Sequence, residues 1–299
     1  MLSVSDEDMP ALCGVADRSA VDAQRDYLRL VRFNLALIVI AALATSWAVS
    51  SPGLRTFLSI IGAITLVGGV GVTAFILQTK CDKQWFGARA VAESVKTIAW
   101  RYMTGSEPYV KSLPNAQADN LFCRDLEGIM RERSAIGAVL GGTVASREEI
   151  TQCMREIRSS DLQARREIYL RDRIQNQRAW YGNKAAVNAS CSTGCLAAIM
   201  VTQLFGAIAA MALVHWPDFS LNIASVLAAI AAAFLAWLQV KHHQELAHAY
   251  GLAAHELGLI EARAPHVVTD SDLSSFVADA ETAISREHTM WMARRDTIP

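Results

Sequence analysis

Four stretches of this chain carry no charged side chain, and they limit its fold more than any other feature. No Asp, Glu, Lys or Arg falls between Arg32 and Arg55, between Arg55 and Lys80, or between Lys184 and Asp218. The fourth stretch, NIASVLAAIAAAFLAWLQV (222–240), leads into Lys241. Each is long enough to cross a hydrocarbon core of about 30 Å as a helix. Only SSPGL separates the first two and HWPDFSL the last two, and Pro52-Gly53 is a turn signal. In lipid the backbone must satisfy its own hydrogen bonds, which leaves helices as the economical solution for such runs. The expectation is an all-α integral membrane protein with four transmembrane helices, arranged as two helical hairpins with long cytoplasmic helical extensions. Composition agrees: 52% of residues are hydrophobic and only 19% are charged.

The basic residues set the orientation. Arg25, Arg29 and Arg32 precede the first span; Lys80, Lys83 and Arg89 follow the second. Arg171, Arg173, Arg178 and Lys184 precede the third, and Lys241 follows the fourth, whereas the turns hold only Arg55 and Asp218. Positive flanks stay inside, so both termini and the middle segment are expected in the cytoplasm of a multi-pass membrane protein. From Lys80 to Lys184 there are 18 Lys/Arg against 13 Asp/Glu, and over 241–299 there are 5 against 9. This basic excess reads as juxtamembrane charge and solvated helix faces, with no direct nucleic-acid binding expected. The polar, acidic first thirty residues do not have the form of a cleavable signal peptide.

Within the spans, Ala224, Ala228, Ala232 and Ala236 form a small-residue stripe, as do Ser190, Gly194 and Ala198, while Gly62, Gly68, Gly69 and Gly71 lighten the second span. Such stripes let helices approach closely, within or between protomers. Ala224, Ala228, Ala232, Ala236, Gly194 and Gln203 are therefore the candidates for helix packing or pore lining. Thr45, Thr65, Thr73, Thr202 and Gln203 are the main polar groups, able either to line a water path or to bond within the helices. The spans hold no ionisable residue of the kind that marks an ion-coupled transporter.

The segment between the hairpins reads as helical, with breaks at Leu113-Pro114-Asn115 and Gly141-Gly142 and a capping box at Ser146-Arg-Glu-Glu149. From about Asp161 one helix is expected to run on into the third span. Two stripes recur at steps of three and four: Trp85, Arg89, Glu93, Lys96 and Trp100, then Tyr169, Arg173, Gln177, Tyr181 with Trp180, Lys184 and Asn188. Trp and Tyr favour the headgroup zone and Arg and Lys snorkel beside them, which suits anchoring at the membrane surface. Pairing of Arg89 with Glu93, and Glu93 with Lys96, suits instead the holding of cytoplasmic extensions against one another; this second reading is favoured. Tyr27 precedes Asn34 as Tyr181 precedes Asn188, by seven residues, each Asn where a helix enters the membrane. The layout is helix, hairpin, helix, twice.

No phosphate loop, nucleophile elbow or Cys/His pairing of motif quality is present, so no enzyme and no cofactor is expected. The six cysteines show no CxxC pair, and His242, His243, His248 and His255 with Glu245 and Glu256 lack HExxH spacing, so no metal is expected. Glu281 and Glu287 with Trp291 read as one side of a C-terminal helix.

The run Trp85…Arg89…Glu93…Lys96…Trp100-Arg101-Tyr102 resembles the segment after the membrane hairpin in the SLATT families, the SMODS and SLOG-associating two-transmembrane effector domains. Tyr169-Leu-Arg-Asp-Arg173, Gln177-Arg-Ala-Trp-Tyr181, Lys184-Ala185 and Asn188 resemble the entry to a second such domain. Phe276-Val-Ala-Asp-Ala-Glu281 and Glu287-His-Thr-Met-Trp291 resemble its C-terminal helix. The resemblance implies two units in tandem: 1–112 with spans at about 33–50 and 57–79, a cytoplasmic helical linker at 113–160, and 161–299 with spans at about 192–214 and 221–240. It further implies an antiphage or conflict-defence effector of the bacterial inner membrane that forms homo-oligomeric pores or disrupts the bilayer. The implied triggers are a nucleotide second messenger, a nucleotidyltransferase, a SLOG-type sensor or a reverse transcriptase encoded nearby. The alternative is a non-enzymatic scaffold that recruits a signalling or nucleic-acid-processing enzyme through its cytoplasmic helices.

Overall fold

A computed structural model of the chain describes residues 2–132, 147–216 and 220–296. Gly141-Gly142 and Ser146 lie outside the described residues, as do the side chains of Glu287 and Trp291. The fold is all-α: 84% helix, with no strand among the described residues. In chain order the helices are α1 (Ala11–Thr45), α2 (Pro52–Thr79), α3 (Cys81–Thr104), α4 (Asn115–Glu132), α5 (Gln152–Ser159) and α6 (Leu162–Ile168). A π-helical segment (Tyr169–Gln175) leads into α7 (Asn176–His215), followed by α8 (Ile223–Lys241), α9 (His243–Glu261), a 3₁₀ turn (Ala264–His266) and α10 (Asp270–Asp296). Asp161 starts α6 by accepting the Ala164 N–H at 2.7 Å. The helix expected from Asp161 therefore does run to His215, but it widens to π form over seven residues on the way.

Two compact units share the chain. The membrane unit comprises Arg25–Cys81 and Ala186–Ala247, and contains the apolar parts of α1, α2, α7 and α8. The polar unit comprises Met1–Gln24, Asp82–Ala185 and His248–Pro299. Four helical stretches are long and apolar enough to cross a membrane.

In the membrane unit, α1 and α2 lie side by side in opposite senses. A Cβ added to Gly62 would meet the Thr45 methyl at 2.6 Å, and one on Gly69 would meet the side-chain oxygen Oδ1 of Asn34 at 3.0 Å. Glycine at these two places is what allows the backbones to come so near. Asn34 donates to Thr73 at 3.2 Å. Helices α7 and α8 run likewise: Gly206 faces Leu227, and Asn188 bonds His243 at 2.7 Å. An isolated bridge between Trp47 and Leu221, with the Ala48 N–H donating to Ser220, ties the turn after α1 to the turn before α8. Helices α1 and α8 also bound an apolar groove of about 420 Å³, with the Arg32 guanidinium 4.9 Å from the centre of the Trp237 ring at one end.

The polar unit has a continuous core drawn from α1, α3, α4, α5, the π segment, α9 and α10, with Val95, Ala99, Met103, Phe122, Met154 and Val277 fully enclosed. Burial at this density supplies the stabilisation that the charged surface of the same helices does not.

Candidate functional site

The expected stripes meet in the core of the polar unit. Trp100, on α3, is buried, and its ring stands edge-on to Tyr169 with centroids 5.5 Å apart. Tyr169 donates its hydroxyl to Glu281 Oε1 at 3.0 Å. Arg173 grips both oxygens of the same carboxylate, Nε to Oε1 at 2.9 Å and Nη2 to Oε2 at 2.8 Å. Thr97, one turn before Arg101 on α3, completes the set by donating to Oε2 at 2.8 Å. Arg173 is 3% exposed and Glu281 is 0% exposed, so the pair is a fully desolvated bidentate bridge with every carboxylate oxygen bonded twice. The π segment starts at Tyr169 and ends past Arg173, and its wide turn presents both side chains to one acceptor. Burial works against the charge on Arg173, but Glu281 outweighs it and keeps the guanidinium firmly protonated. Burial, then the Glu281 charge, raises the Tyr169 hydroxyl well above its ordinary range, so it stays a donor.

The first stripe divides. Arg89 pairs with Glu93 at 2.9 Å and with Asp17 of α1 at 3.4 Å, and its guanidinium carbon is 5.9 Å from the Trp180 ring centre. Lys184 lies over the same ring at 5.6 Å, and Tyr181 stacks on Tyr250 of α9. Trp85 is half-buried and stacks on Phe86, Lys96 is 4.0 Å from Asp6, and Gln177 is half-buried on α7. Trp100, Tyr169, Arg173 and Tyr181 are thus inside the unit, while Trp85, Arg89, Lys96 and Gln177 sit nearer its surface.

Residues that the stripes did not include carry much of the construction. Glu281 is the centre, although nothing in its local spacing ties it to Arg173, 108 positions earlier. Arg158 is buried and holds the turn after α3 by donating to the carbonyls of Tyr102, Tyr109 and Val110 at 3.1, 2.7 and 3.1 Å. Arg165, also buried, bonds the Thr104 carbonyl and reaches Asp270 at 2.6 Å. Gly105 between them has φ +69°, and a Cβ there would press on Arg165 at 3.0 Å. Arg158 lies on α5 and Arg165 on α6, with extended backbone at Ser160 and Asp161 between them, so no helical spacing in the sequence pairs the two.

In the membrane unit the alanine stripe of α8 is turned away from its neighbours. Ala228 and Ala232 are exposed, Ala224 and Ala236 are half-buried, and it is Ala231 that is enclosed. Gly194 has open space around it, and Gln203 is exposed. The threonines bond their own helices: Thr45 to Ala41, Thr65 to Ile61, Thr73 to Gly69 and Thr202 to Ala198. Among the described residues, no three His, Cys, Asp or Glu side chains group to hold a metal. Burial pushes the Cys13 and Cys153 thiols to about 11, which makes both poor nucleophiles at neutral pH.

Residues 10–166 match SMODS and SLOG-associating 2TM effector domain 3, and residues 169–291 match SMODS and SLOG-associating 2TM effector domain 1. The chain belongs to this SLATT family. It carries two SLATT domains in tandem, and the join falls at the start of the π segment, between Arg166 and Tyr169. The Arg173–Glu281 bridge lies inside the second SLATT domain, while Thr97 and Trp100 come to it from the first. With two 2TM domains and four candidate spans, this SLATT chain is a multi-pass membrane effector protein. No curated protein and no solved structure matches the chain.

Proposed function

We propose that this SLATT chain is a bacterial inner-membrane effector of a conflict-defence system, with its termini and its polar unit in the cytoplasm. When triggered it assembles with copies of itself and breaches the membrane, as a pore or by disrupting the bilayer, without catalysing a reaction. The trigger is a nucleotide second messenger or a partner protein that acts on the polar unit. The basic flanks of the four spans support the orientation. One observation carries the reading: the most apolar window of each span is only 6–11% buried within its own chain. Helices that cover so little of one another leave most of their surface for lipid or for further copies. The polar unit, by contrast, is closed around its own core.

Inducible expression in bacteria loaded with a potential-sensitive dye tests this. Toxicity with rapid depolarisation on triggering is expected. Cells that stay polarised under every trigger would instead leave the chain as a non-enzymatic scaffold that recruits a signalling or nucleic-acid-processing enzyme through its cytoplasmic helices. Arg89→Ala and Glu93→Ala are expected to abolish depolarisation while the protein still fractionates with membranes. Loss of membrane insertion in either variant would make that stripe a folding element and nothing more.

A further inference from the structure

Gln203 presents an amide to the outside of the membrane unit at a depth where lipid offers nothing to bond. It lies eleven residues from each end of the apolar stretch 192–214, about 16 Å from either boundary at 1.5 Å per residue. A glutamine side chain is too short to snorkel that far. Its residue is exposed, and among the described residues the amide has no hydrogen-bond partner, whereas Thr202 beside it is satisfied by Ala198 at 2.5 Å. Leaving an amide unbonded in hydrocarbon is costly.

The strip that carries it is unusually regular. Leu196, Met200, Gln203, Ala207, Ala210 and Val214 follow one another at steps of four, three, four, three and four, and all six are exposed. That spacing forms the seam of a left-handed helix pair crossing near 20°. Ser192, Ile199 and Gly206, which face inward, are not part of it.

We propose that two copies of this chain pair along this strip of α7, with the two Gln203 amides bonded to each other at the bilayer midplane. Two copies inserted in the same direction hold Gln203 at the same depth. A two-fold axis along the membrane normal then brings one amide against the other. Each amide has both donors and an acceptor, so the contact is reciprocal and needs no other chemistry. The alanines at 207 and 210 let the helices close up on one side of the bond, and Met200 adapts its shape on the other. Such a pair is the opening step of the assembly proposed above, and it rests on that reading for its purpose.

Cysteine cross-linking in native membranes, without any trigger, tests the contact in the full chain with Cys191 and Cys195 replaced by alanine. Gln203→Cys and Ala207→Cys are expected to give dimers on mild oxidation, and Phe205→Cys, on another side of α7, is not. In dilution experiments in vesicles, Gln203→Leu should weaken self-association roughly three- to tenfold, the range set by measured interhelical bonds, and Gln203→Asn should restore most of it. Equal cross-linking at 203 and 205, or Gln203→Leu associating as tightly as the unaltered chain, would overturn the pairing. So would labelling of the Gln203→Cys thiol by a water-borne reagent in resting membranes, which would place position 203 on a water path. Dimers at Ala228→Cys in place of 203 would move the interface to α8 and also overturn it. Depolarisation without these cross-links loses the contact and keeps the effector; cross-links in cells that never depolarise do the reverse.

Discussion

Glu281 accepts hydrogen bonds from Tyr169, Thr97 and Arg173 while wholly out of water. Removing one partner of such a pair strands the other charge, at a cost of about 3–5 kcal/mol. Glu281→Gln is therefore expected to lower the stability of the polar unit by about 3 kcal/mol, read as an earlier melt of the purified protein in detergent. Arg173→Met combined with Glu281→Leu, which removes both charges, should recover part of that loss. A Glu281→Gln melt that matches the unaltered protein would show that the bridge contributes nothing net. Arg173, Tyr169 and Trp100 were legible in the sequence because each recurs at helical steps among aromatic neighbours. Their common acceptor was not, because sequence spacing reports which residues share a helix face and is silent on which distant helix packs there.

At the level of elements, the same joint occurs twice. Lys80 closes α2 and His242 closes α8, each in the left-handed conformation with φ of 49° and 48°, and each bonds its N–H four residues back, to Ile76 and Leu238. A new helix starts at the next residue in both cases, at Cys81 and His243. Non-glycine residues pay roughly 1–2 kcal/mol for this geometry. His242 already bears that cost, so His242→Val, whose branched Cβ fits the geometry worse, is expected to lower the melting stability further, and His242→Gly to leave it unchanged or raise it. Equal melts for the two variants would mean that the joint is not held in this form. The four spans were readable from absent charge, and Pro52 at the start of α2 from turn chemistry. These breaks were not, since neither site offers glycine or proline. The π segment escaped for a similar reason: its residues form an ordinary helix pattern, and only the demand of Glu281 on both Tyr169 and Arg173 makes the wider turn worthwhile.

On the scale of the whole molecule, four sparsely covered apolar helices make lipid the solvent of a unit that holds about two-fifths of the chain. The protein is expected in the membrane pellet after high-speed centrifugation, released by detergent and not by high salt or alkali; recovery of folded chain in a detergent-free supernatant would contradict that. The polar unit is assembled from three separated segments, Met1–Gln24, Asp82–Ala185 and His248–Pro299. A ribosome works from one end, so the carboxylate at 281 is made after all four apolar runs have been synthesised. Until then Arg173 lacks the carboxylate that it grips with both nitrogens. A chain cut short between α8 and α10 can thread all four hydrophobic rods into lipid but cannot complete the domain proposed to receive the signal, so translation order itself withholds the finished polar unit until the last helix is in place.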